Sequence, residues 1–77
     1  MNSFNDDEVF RSILTGIDKG DIKTTYHLRT TLEVLREKFN IKELLILAMF
    51  REWLAKRNFN LTTEYGTVMI LPIDIKV

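Results

Sequence analysis

The chain has 77 residues, eleven Lys/Arg against eleven Asp/Glu, one histidine and no cysteine. That length makes one small domain. The missing thiols exclude a disulfide or thiolate metal site, and a lone His27 excludes a histidine-rich metal cluster. A core of this size supplies only about 3–5 kcal/mol net, so with no covalent or metal staple the expected reinforcement is self-association.

The N-terminus lacks a basic segment followed by an apolar one, so no secretory signal is expected. No apolar run reaches membrane-spanning length. These features, with the absence of cysteine, make the cytoplasm the expected location. Charge is unevenly spread. Residues 1–22 hold five acids against Arg11 and Lys19, and residues 23–77 hold nine Lys/Arg against six Asp/Glu.

Residues 1–5 are expected to form a loose end. Asn5 with Glu8, or Ser3 with Asp6, offers a helix cap, and Asp6, Asp7 and Glu8 suit the positive helix pole. Val9, Phe10, Ile13, Leu14 and Ile17 share one helical face, which predicts a helix over 6–17, with Gly16 weakening its interior and Gly20 a better stop. Asp18-Lys19-Gly20-Asp21 reads as a turn. Its acids lack the alternating oxygen ligands and terminal Glu of a calcium loop, since Arg29 occupies the twelfth position.

Asp21 or Thr24 caps a second helix, predicted over 24–39. Leu28, Leu32, Leu35 and Phe39 make its narrow apolar stripe. Tyr26 and Val34 lie off that stripe. His27 has no partner beyond Lys23 and reads as a plain surface residue. Four threonines at 24, 25, 30 and 31 have low helix propensity and suggest a frayed start.

Phe39-Asn40-Ile41 is a tight corner. Asn40 with Glu43 gives a capping signature for a third helix over 41–57, with Lys56 and Arg57 in its last turn and Asn58 as a left-handed stop. Leu44 to Phe50 is uncharged, and the apolar side chains spread around the whole helix. A helix apolar all round is expected to be covered all round.

From Phe59 the period becomes two. Strands are predicted over 59–65 and 67–71, joined at Tyr65-Gly66, with 73–77 as an extension or third strand. Pro72 marks an edge or break. The predicted class is therefore α+β: three helices, then a C-terminal hairpin, in one domain. A lone hairpin with open edges, the two-faced apolar run Val68 to Leu71 and the all-round apolar helix together predict a homodimer.

Three helices followed by a hairpin resembles a winged helix, with the hairpin as the wing. The resemblance covers element order and no motif. It implies a DNA- or RNA-binding regulator, with Lys23, Arg29, Arg36, Lys38, Lys42, Lys56 and Arg57 as phosphate contacts. Two features depart from it. A helix-turn-helix turn is 3–4 residues, often with glycine, and this corner has none. A recognition helix offers polar side chains to base edges, and Leu44 to Phe50 offers none.

No nucleophile with a local base, phosphate-cradling loop or cofactor motif is present, so the expectation is a non-enzymatic protein with no cofactor, small-molecule ligand or metal. The leading expectation is a protein-interaction or regulatory module. Its contact candidates are Tyr26, Val34, Trp53, Tyr65, Val68 and Ile70, with Trp53 weighing towards the core and Tyr65 towards solvent. Nucleic-acid regulation is the alternative.

Overall fold

The computed structural model describes residues 4–73. Three helices, α1 (Asp6–Lys19), α2 (Thr25–Phe39) and α3 (Glu43–Ala55), precede an antiparallel hairpin of β1 (Phe59–Thr62) and β2 (Met69–Pro72). This is the α+β order predicted from periodicity. The register pairs Phe59 with Pro72, Asn60 with Leu71, Leu61 with Ile70 and Thr62 with Met69. The Ile73 amide adds a rung by donating to the Asn58 carbonyl at 2.8 Å. The suggested extension over residues 74–77 lies outside the described residues.

α1 begins where its cap predicts: the Asn5 side chain accepts from the Glu8 amide at 3.2 Å. The helix runs on to Lys19 and stops at Gly20, whose φ of 88° only glycine adopts without strain. Gly16 has a packing reason. A Cβ there would sit 2.9 Å from the Ile22 side chain, which folds back onto the helix. The expected loose end does not include Phe4 and Asn5. Phe4 packs edge-on against Phe10 and Phe39.

Thr24 caps α2 by accepting from the His27 amide. The helix is regular from Thr25, and Thr30 and Thr31 turn their hydroxyls back to carbonyls one turn earlier, those of Tyr26 and His27. His27 is more than a surface bystander: its Nδ1 accepts from the Lys23 amide at 3.3 Å.

The corner differs from expectation. Asn40 ends α2 in the left-handed region (φ 56°, ψ 43°) instead of opening α3. Asparagine tolerates that backbone better than other non-glycine residues, and the short turn uses that property over its capping side chain. α3 instead starts after Lys42, with no side-chain cap. The Glu43 carboxylate, freed from reaching back, pairs with Arg36 at 3.3 Å. The turn Asn40–Lys42 thus has the length of a helix-turn-helix turn, with Asn40 standing where glycine is common.

The core draws on all three helices and the hairpin: Phe10 and Ile13 from α1, Ile22 from the loop, Leu28 and Leu32 from α2, Ile46, Phe50, Trp53 and Leu54 from α3, Leu61 from β1, and Val68 just before β2. The hairpin is not left alone. Thr67 bridges to Thr24, and the Val68 amide donates to the Lys23 carbonyl at 2.8 Å, so one edge of the hairpin is tied to the α1–α2 loop. No helix among the described residues is long and apolar enough to cross a membrane.

Candidate docking surface

α3 presents two opposed faces. Ile46, Phe50, Trp53 and Leu54 point inward and are buried. Leu44 (81% exposed), Leu45 (53%) and Ala48 share the outward face with Arg51, Glu52 and Ala55. Within a single chain this helix is not covered all round. Four inward side chains join the core, and among the described residues no element covers the other side. The outward apolar residues therefore belong to the surface.

One cation on that face is committed to the fold. Arg51 donates from Nη1 to the Leu61 carbonyl at 2.9 Å, fastening α3 to the outer side of β1. Beside it, an apolar groove of about 270 Å³ runs between α2 and α3. Leu28, Leu32, Leu44 and Leu47 line it, and Arg29 and Arg51 stand at its rim.

A second cleft, of about 370 Å³, lies between the start of α1 and the end of α3. Its charges satisfy one another. Asp7 accepts from Arg11 Nε and Arg57 Nη2, both at 3.0 Å, and from the Trp53 indole N–H at 3.3 Å. The Arg57 guanidinium lies 3.9 Å from the Trp53 ring centroid, a cation–π contact, and donates from Nη1 to the Trp53 carbonyl. Lys56 pairs with Glu52 at 3.6 Å. The Arg11 hydrogen bond foremost holds the Asp7 carboxyl below its ordinary value; desolvation opposes it, and the Trp53 bond and the charges of Arg11 and Arg57 add to the lowering. This cleft is a structural clasp between the two ends of the helical region.

The predicted contact residues divide sharply. Tyr26 (70% exposed), Val34 (60%) and Tyr65 (fully exposed) face solvent. Trp53 and Val68 are buried, and Ile70 is half-buried against the same core. These three are corrections to the contact set. The period-two alternation turns Val68 and Ile70 inward and leaves Met69 and Leu71 outward. Trp53 is claimed by Phe10, Phe50 and Arg57.

Tyr65 carries an unexplained cost. It sits at the hairpin tip, in a single turn of 3-10 helix over Glu64–Gly66, with φ 56° and ψ 31°. A bulky residue in the left-handed region is strained, and its side chain meets nothing in the fold.

No protein-family model, curated protein or solved structure matches this chain. The likeness to a winged helix therefore stays one of element order and turn length.

The cationic residues expected to touch phosphates do not act together. Lys23 precedes α2; Arg29, Arg36 and Lys38 lie on α2, Lys42 in the turn, and Lys56 and Arg57 just beyond α3. Arg36, Lys56 and Arg57 are already in ion pairs, and Lys38 lies over the Phe39 ring. The hairpin from Phe59 to Pro72 contains no Lys or Arg and one acid, Glu64. Among the described residues no three His, Asp or Glu side chains gather into a metal-sized cluster.

Sequence reasoning missed Leu44, Leu45, Arg51 and Asp7. Leu44 and Leu45 were hidden by the assumption of full coverage. Arg51 bonds ten positions away, and Asp7, besides its i,i+4 pair with Arg11, binds Trp53 and Arg57 more than forty positions on, which no local spacing signals.

Proposed function

We propose that this chain is a non-enzymatic protein-docking module whose contact surface is the outward face of α3. One observation carries the reading: Leu44 and Leu45 stand exposed on the helix that, in a helix-turn-helix, would meet a ligand first. Water-facing leucines on a buried-core helix lose nothing when a protein covers them and gain about 25 cal/mol per Å² of apolar surface removed from water. The strained, fully exposed Tyr65 supports the same reading, because tyrosine is a favoured contact anchor and the fold itself makes no use of it. Basic residues are absent from the hairpin, which weighs against the nucleic-acid alternative.

The test compares two immobilised baits, wild type and Leu45→Glu, matched by circular dichroism. The docking reading expects a protein retained by the first and lost by the second. In parallel, labelled random duplex and single-stranded DNA are titrated at low and moderate salt. Binding that weakens steeply with salt, and is lost on charge reversal at Lys42 and Lys56, would overturn the docking reading in favour of phosphate recognition.

A further inference from the structure

The α2–α3 groove is lined in a helical rhythm. Thr25, Leu28, Arg29 and Leu32 follow i, i+3, i+4, i+7 along α2, and Leu44, Leu47 and Arg51 follow i, i+3, i+7 along α3. Each wall is therefore a stripe of about two turns, roughly 10 Å long. Leu28 and Leu32 are buried and form the floor, Leu47 is half-buried, and Leu44 stands open to water. That length and spacing match the anchors with which one amphipathic helix seats in a groove. An extended segment would find no ladder here. The wall backbones are spent within their own helices, and the Leu61 carbonyl, which faces α3, already accepts from Arg51.

The charges select the occupant further. Arg29 is exposed at the rim and has no ion-pair partner among the described residues. Arg51 is held by a neutral carbonyl, so its charge stays uncancelled beside the groove. Glu43, the acid lining the groove, is taken by Arg36 at 3.3 Å. The groove thus carries surplus positive charge in a chain whose net charge is zero, and a carboxylate is what complements it. We infer that the groove receives an acidic amphipathic helix of a partner protein. Its apolar strip seats on Leu28, Leu32, Leu44 and Leu47, and its flanking carboxylates face Arg29 and Arg51. The inference rests on the reading of the exposed α3 surface as a docking surface, and names the partner segment that covers the α2 side of it.

Three labelled synthetic peptides test this by fluorescence anisotropy against the full chain. Each is an alanine-based helix of about 18 residues, long enough to hold helical structure, with leucines at i, i+3 and i+7. They differ only in the flanking residues, which are glutamate, glutamine or lysine. The glutamate peptide is expected to bind with a Kd below about 1 mM and about ten-fold tighter than the lysine peptide. R29E is expected to erase that preference, and L44E to abolish binding of all three. Both positions are exposed, and circular dichroism checks that the variants fold. A preference that R29E leaves unchanged overturns the inference, as does binding indifferent to L44E. Absence of saturable binding overturns it too, whether calorimetry then shows sodium decanoate filling the groove or sedimentation equilibrium shows a second copy covering it. An immobilised L45E chain that loses its protein, beside an R29E chain that keeps it, would leave the docking reading standing and remove the acidic helix. Peptides that behave as expected, beside an L45E chain that still captures its protein, would confine the contact to the groove.

Discussion

Arg51 Nη1 and the carbonyl oxygen of Leu61 lie 2.9 Å apart, so the most prominent cation on the outward face of α3 is fastened to the first strand of the hairpin. This bond orients the hairpin against the helix. It also removes a guanidinium from the set available for phosphates. Arg51→Met keeps the aliphatic stem and deletes the donor. It is expected to lower stability by about 1–2 kcal/mol, as a charge-assisted hydrogen bond does. Urea unfolding measures the change, and amide exchange in β1 is expected to speed up more than in α2.

The clasp at Asp7 predicts a pH dependence. Its native carboxyl is held below the ordinary value of 3.8, chiefly by the Arg11 hydrogen bond. The unfolded chain therefore takes up that proton more readily than the native one, and stability falls as protons are added. The contribution is fully present above about pH 4. It is lost as the pH drops through the lowered native value. Asp7→Asn is expected to be less stable than wild type at neutral pH. The gap stays constant down to the ordinary carboxylate range and narrows below it, as thermal unfolding at stepped pH would show. A gap that widened in acid would contradict the clasp.

Phe50 is fully buried between Phe10 and Trp53. Phe50→Ala is expected to cost about 3–5 kcal/mol, which equals the whole net stability expected of a domain this small. The variant should have lost its helical circular dichroism at room temperature. Phe50→Leu, with a smaller void, should fold with a lowered midpoint.

Much of the fold could be read directly from the residues, and the reasons are local. Asn5 with Glu8, the Phe10–Ile13 face, the Leu28–Leu32 stripe and the switch to period two at Phe59 each act within a turn or a strand. What could not be read depends on pairing at a distance. Asn40 carries two helix-end preferences, and only the short turn decides between them. Trp53 weighed towards the core, but the partner of its N–H, Asp7, stands 46 positions earlier and no local pattern names it. Leu44 and Leu45 looked like core because hydrophobicity states an affinity for burial, not whether the domain has enough surface to provide it.

Tyr65 yields a prediction of opposite sign from the others. Its left-handed backbone costs about 1–2 kcal/mol for an ordinary L-residue, and the exposed ring returns no packing. Asparagine adopts that backbone more readily. Tyr65→Asn is expected to raise stability by up to about 1 kcal/mol by chemical denaturation. Destabilisation would show that the ring has a role within the fold.

Leu44→Glu and Leu45→Glu are expected to change unfolding free energy by no more than about 0.5 kcal/mol, the range of ordinary surface substitutions. A larger loss would place these residues in the fold's own packing.

The tie between Val68 and Lys23 has a consequence for how the chain reaches its native state. The last segment to enter the core must return to a loop 45 positions earlier and donate its amide there. The seat for Val68 is built by helices that themselves need Leu61 and Val68 to close the core. Such mutual dependence favours all-or-none assembly, in which the helices gain little by forming early and the closing contact spans most of the described chain. A fragment ending at Gly66 would contain all three helices and still lack the piece that locks them together.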